Sequence, residues 1–206
     1  MAPENDTSSL YISGAVEGIL DEAVLRRLVE FVGAEMGYVY PVGGKPQLDL
    51  RLSGYNEAAR HSPWCILRDL DTDTTCPAEL TVLLLPEPSS SMCFRIVVRA
   101  VEAWLMADRQ RMATFLSVSR ARIPVSPEDA RDPKGTLVNV ARQSNKTFVQ
   151  DSVVPRPGSG RSVGTGYTSL MIEYIRSRWR PEVAAESSES LRRCIACLKR
   201  LAGRMV

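Results

Sequence analysis

Acidic residues stand at three places where this chain stops being apolar. Glu17 directly follows the run LYISGAV, and WCILRDLDTDTTC closes four apolar residues with Asp69, Asp71 and Asp73 at alternate positions. Glu102 stands just past a third apolar run, MCFRIVVRAV. Like charges converging within a few ångströms repel unless a cation neutralises them, so carboxylates gathered at one edge argue for a divalent metal. Magnesium, or manganese in its place, prefers oxygen ligands and keeps waters that phosphate oxygens can replace, and such ions support phosphodiester cleavage. The alternative for the DxDxD run is a solvated loop in which Asp71 and Asp73 merely cap the next helix.

The elements that must position these acids read as alternating strands and helices. Residues 10–16 form a buried strand, and ILDEAVLRRLVEFVG places Leu20, Val24, Leu28 and Phe31 at helical spacing with Gly33 as a stop. MGYVYPV from Met36 is a second strand, followed by a Gly43-Gly44 turn and a polar stretch with a short helix through Tyr55 to Arg60. WCILRDL is the third strand. CPAELTVLLLP after it reads as a short helix opened near Pro77 or as a strand. Residues 92–99 form the fourth strand and feed an amphipathic helix through VEAWLMADRQRMATFLSV. The expected class is α/β, a mostly parallel four-stranded sheet flanked by helices, over residues 1–119. Such sheets bind ligands at the carboxyl ends of their strands, near a switch in strand order, which is where the acids lie.

The second half, residues 120–206, reads as a helical extension packed on that core. RARIPVSPEDARDP is irregular; KGTLVNVARQSN and YTSLMIEYIRSRW are helical; and SESLRRCIACLKRLAG closes the chain as an amphipathic helix capped by Ser188 or Ser190. Residues 151–166, rich in Gly, Pro and Ser, predict a mobile loop. Lys134 and Lys146, with Arg156 and Arg161 on that loop, are candidates to hold phosphates, or else solvated surface cations.

Composition narrows the chemistry. Twenty-six basic against twenty-four acidic residues leave a net charge of +2, so nucleic-acid binding must come from local patches. The single histidine, His61, leaves little room for histidine-based zinc sites or Ser-His-Asp devices, and hydrolytic chemistry falls to the carboxylates. Five cysteines, an odd number, suit reduced thiols, and the CxxC of Cys194 and Cys197, with no second pair beside it, reads as core. Trp104 reads as core too, and Asp108 as a surface acid or an arginine's partner. The polar start MAPENDTSS and the lack of any apolar run near the ~18–20 residues of a membrane span predict a cytoplasmic protein without membrane contact.

Glu17 in AVEGILDE after a first strand, with Asp69 and Asp71 in ILRDLD after a third, resembles the Toprim domain, the acidic metal-binding fold of topoisomerases, primases and OLD-family nucleases. More closely, VEG with an acid soon after, LRDLDTDTTC, VRAVEAWLMAD, DPKGTL and GYTSLMIEYI, in that order, are similar to an uncharacterised bacterial family of Toprim-like proteins. The resemblance implies that Glu17, Asp69 and Asp71 form the metal site, with Glu17 able to act as general acid or base, and that Glu102 joins them or stands just behind. Asp73 occupies the motif where a glycine often trails the Toprim pair, which leaves its role open. The expected activity is a magnesium-dependent phosphodiesterase on DNA or RNA. A second expectation is a non-catalytic subunit on a Toprim scaffold, partnering a separate ATPase, since this chain has no Walker motif; a role in phage defence would suit that pairing.

Overall fold

The computed structural model describes residues 10–203. The first nine residues, on which the reading of a polar start rests, lie outside the described residues, as do the last three, so the outermost ends of the spans 1–119 and 120–206 do too.

Four strands, β1 (Tyr11–Val16), β2 (Glu35–Pro41), β3 (Trp64–Asp69) and β4 (Met92–Val97), form one sheet in the order β2-β1-β3-β4, with every neighbouring pair parallel. The chain is thus α/β, as its alternation predicts. Successive side chains point to opposite faces of a strand, and here both faces are apolar. Ile12, Cys65, Leu67, Cys93 and Val97 belong to one core cluster, and Trp64, Ile66, Met92, Phe94 and Ile96 to the other. The first face is covered by α1 (Ile19–Phe31) and α10 (Glu189–Leu201), with α8 (Tyr167–Ser177) packed against α1, and the second by α2 (Lys45–Ala58) and α3 (Pro77–Leu84). Gly14 lets α1 lie close on β1, since a β-carbon there would stand 2.5 Å from the Leu25 side chain and 2.9 Å from the Cys65 carbonyl oxygen.

The chain leaves β1 toward β2 on one side and, after crossing back, leaves β3 toward β4 on the other. The switch in strand order therefore falls between β1 and β3. A crevice opens at the carboxyl ends of strands at such a point.

Several elements differ from their sequence reading. α2 begins ten residues before Tyr55, directly after Gly44, whose φ of +114° makes the turn. Only Leu48 and Leu52 of α2 are buried, and Gly54 weakens its helical signal, so the pattern is faint. The single helix expected from Val101 onward is two, α4 (Val101–Ala107) and α5 (Arg109–Leu116), broken at Asp108. Asp108 is fully buried, caps α5 by accepting from the Arg111 amide, and takes the Arg180 guanidinium on both oxygens at 2.8 and 2.9 Å. It is an arginine's partner, not a surface acid.

The C-terminal half adds α6 (Pro133–Ala141), α7 (Thr147–Val153) and the short α9 (Pro181–Ala184). The stretch 151–166 starts inside α7, and its return is pinned by backbone bonds from Gly164 to Val153 and from Gly166 to Ser152. Ser188 caps α10 by accepting from the Leu191 amide. Trp104 is buried, its Nε1–H donating to Ser190 Oγ at 2.7 Å. One apolar cluster runs from Ile12 to Leu198, so the C-terminal helices share the sheet's core. Among the described residues no helix is long and apolar enough to cross a membrane.

Candidate functional site

The crevice between β1 and β3 is lined with acids. Glu17, the first residue after β1, turns back to β3, and its Oε1 accepts the Asp69 backbone N–H at 2.9 Å. Asp21, in the first turn of α1, caps that helix by accepting the Gly18 N–H at 2.9 Å, an interaction favoured by the positive end of the helix dipole. Asp69 ends β3 with its carboxyl buried, and its Oδ1 has no hydrogen-bond partner. Glu102, in the first turn of α4, is only 1% exposed; its Oε1 accepts from the Tyr167 hydroxyl at 2.9 Å and lies 3.7 Å from Lys134 Nζ.

Burial and mutual repulsion raise the proton affinity of this cluster. Asp69 is pushed well above the usual carboxylate range, first by burial and then by the charges of Asp21, Glu102 and Glu17. Asp21 rises to about 7 for the same reasons, burial first and then Glu102 and Glu17. Glu17 is also raised by burial, although the Asp69 amide opposes the shift. Lys134 is the counterweight: the Glu102 carboxylate raises its pKa, and Asp69 and Asp21 add to the effect.

Asp71 and Asp73 behave differently from Asp69. Asp71 sits in a left-handed conformation, φ +48°, at the exit of β3. Its backbone is fixed from both sides by Arg99, which accepts the Asp71 N–H and donates a guanidinium N–H to the Asp71 carbonyl. Its carboxylate accepts from Lys45 Nζ at 2.7 Å. The turn sends Asp73 away from the cluster, into ion pairs with Lys45 at 2.9 Å and Arg68 at 2.8 Å; Arg68 also holds Asp49 with two hydrogen bonds.

Of the acids singled out in the sequence, the fold therefore gathers Glu17, Asp69 and Glu102, with Asp71 at the rim and Asp73 apart. Comparison with family models, with curated proteins and with solved structures gives no match to this chain. What the site can do must come from its own geometry.

Two clefts meet at Asp69 and Lys134. The larger, about 420 Å³, has Asp21, Asp69, Glu102 and Tyr167 in its wall; the smaller, about 240 Å³, adds Asp71, Arg99 and Arg131. Lys134 is thus a cation of the site. The other three candidate phosphate binders are elsewhere: Lys146 lines a separate hollow with Arg111 and Arg178, and Arg156 and Arg161 are exposed on the loop after α7. That loop still reaches the larger cleft through Ser162 and Val163.

Asp21 and Tyr167 enter the sequence reading only inside quoted motifs, as the acid soon after VEG and as part of GYTSLMIEYI, with no site role given to either. Asp21 reads as an ordinary first-turn helix acid, and Tyr167 as the apolar start of a helix. Nothing local marks either as facing carboxylates from other elements.

Among the described residues, no three acidic, cysteine or histidine side chains already stand gathered as a ligand set. The physical reason at this edge is that one oxygen of each of several acids is engaged: Glu17 with the Asp69 amide, Asp21 with the Gly18 amide, Glu102 with Tyr167 and Asp71 with Lys45. The donor chemistry nonetheless fits a hard divalent cation. All the groups are oxygens, they are under electrostatic strain, and Asp69 Oδ1 is buried without a partner.

Proposed function

We propose that this protein is a magnesium- or manganese-dependent phosphodiesterase of Toprim type acting on DNA or RNA. The observation that carries the reading is the unpartnered, buried Asp69 Oδ1 at the strand-order switch, surrounded by carboxylates from two other elements. Glu17, Asp69 and Asp71 would hold the cation, with Asp21 and Glu102 flanking them. Bound there, the metal would polarise a phosphodiester and make a coordinated water more acidic.

The chain's own groups divide the remaining work. Glu17 has Oε1 fixed on the Asp69 amide, which leaves Oε2 to take or give a proton, and its raised pKa suits that exchange. Lys134, Arg131 and Arg99 form the cationic wall that would receive phosphate oxygens. Tyr167 orients Glu102 through its hydroxyl.

The test is a cleavage assay on single- and double-stranded DNA and RNA with magnesium, manganese or EDTA, run for the parent and for Asp69→Asn. Metal-dependent cleavage that the substitution abolishes is the expected result. Absence of both cleavage and a metal-linked rise in melting temperature, with or without a candidate ATPase, would replace the enzyme with a non-catalytic subunit.

A further inference from the structure

Four of the five cysteines converge on one face of the sheet. Cys65 of β3 and Cys93 of β4 are register partners on the same side, and Cys194 and Cys197, one turn apart on α10, pack against them. α10 packs on β4, which sets the Cys65, Cys93 and Cys194 thiols beside one another in one cluster with Cys197 packed against it. Cys65, Cys93 and Cys194 are buried, whereas Cys197 is partly exposed. Arg200 stands beside it, Nη2 at 3.7 Å from Cys197 Sγ, and is fixed there by hydrogen bonds to the carbonyls of Ser90 and Met92. The CxxC thus has its second pair, on two strands far earlier in the chain.

We propose that Cys197 is a hydroperoxide-reactive thiol that, once oxidised, closes a disulfide to Cys93 and so ties α10 to β4. The three features such a site needs are together: access for the oxidant, a cation beside the sulfur, and a resolving thiol in contact. The Cys197 pKa is lowered to about 7, first by the hydrogen bond with Cys93 and then, against the effect of burial, by Arg200. A lowered pKa raises the thiolate share at neutral pH above the few per cent of an ordinary thiol of pKa about 8.5. Lower intrinsic nucleophilicity takes back part of this gain, so the net advantage is several-fold.

The chemistry balances. The Cys197 thiolate attacks one oxygen of ROOH, the O–O bond breaks, and the departing RO⁻ takes a proton to leave as ROH, giving Cys197–SOH. The Cys93 thiol then displaces the hydroxyl, which leaves as water, and the S–S bond forms. Two electrons pass from the sulfur pair to the peroxide. Four thiols also suit zinc, but no three such groups among the described residues are gathered as a ligand set.

The inference is independent of the carboxylate site. Its test treats the reduced full-length chain with stoichiometric hydrogen peroxide, alkylates the remaining thiols, and maps unreduced peptides by mass spectrometry. Cys76, the other partly exposed cysteine, is the internal comparator. The expected result is a Cys93–Cys197 cross-link and loss of two free thiols in the parent. In the parent, Cys197 should react several-fold faster than Cys76; in Cys93→Ala, with no resolving thiol, its sulfenic acid should persist long enough to be trapped by dimedone. Cys197→Ala should form no cross-link, with circular dichroism confirming that both variants fold. If a variant unfolds, the rate comparison on the parent decides. Equal rates at Cys197 and Cys76, a Cys194–Cys197 link, or stoichiometric zinc released by the peroxide would each overturn the proposal.

Discussion

The side chain of Glu17 joins the ends of two neighbouring strands: its Oε1 takes the backbone N–H of Asp69 at 2.9 Å, so the acid after β1 fixes the position of the acid that ends β3. This bond has two separable components, an acceptor and a charge. Glu17→Gln keeps the acceptor and should leave stability in EDTA unchanged or slightly higher. Glu17→Ala leaves a buried amide unsatisfied and should cost about 1–3 kcal/mol in urea unfolding. Equal losses in the two variants would show that the hydrogen bond is not what the side chain contributes.

Asp69→Asn is nearly isosteric but removes one charge from a crowded site. Without metal it should melt no lower than the parent, because repulsion is relieved. With excess magnesium the parent should gain melting temperature by mass action and the variant should not. Thermal melts of both proteins, with and without magnesium, check this.

The raised carboxyl pKa values fix the sign of a pH effect. A group whose folded pKa exceeds its unfolded value contributes stability that is full below the unfolded pKa, about 4, and is lost as pH rises through the folded one. For Asp21 that upper value is about 7, and Asp69 is shifted in the same direction. Asp73 has the opposite sign: although burial raises it, hydrogen bonds from Lys45 and Arg68 leave its pKa below the usual range, so its contribution fades only on stronger acidification. In EDTA the protein should therefore melt higher at pH 5 than at pH 8, and Asp69→Asn should flatten the profile. A parent that melts higher at pH 8 would contradict the repulsion inferred for the cluster.

Away from the crevice, Asp108 is fully buried against a half-exposed Arg180. Arg180→Leu would leave that carboxylate without its counter-ion and should lower stability by about 2–4 kcal/mol, a figure reduced for the solvent reaching the arginine. The double variant with Asp108→Leu should recover part of the loss. Denaturant titrations of the single and double variants measure the coupling.

How far the sequence discloses all this depends on whether a residue's partners are local. The strands are legible because each is a short apolar run closed by turn residues or acids, and their alternation with helices leads to a parallel sheet. Glu17, Asp69 and Glu102 are legible because strand ends of a parallel sheet share an edge. The surroundings of Asp73 are not legible in the sequence, because even spacing suggests one face, while the left-handed Asp71 turns the chain and hands Asp73 to Lys45 and Arg68. Tyr167 and the cysteines Cys65 and Cys93 acquire their neighbours only through long-range packing, which no local spacing announces.

The apolar cluster that joins Ile12 to Leu198 has a consequence for how this chain acquires its structure. β1, β3 and β4 leave the ribosome well before α10, the helix that packs on β4. A nascent chain halted near Ser119 would carry a sheet surface around Cys93 and its β3 neighbour Cys65 short of that cover. Contacts of such sequence separation close slowly, and a half-covered sheet is a surface that sticks to its own kind or to a chaperone. Folding yield should therefore respond to the speed of synthesis of the last eighty or so residues more than to anything in the first strand.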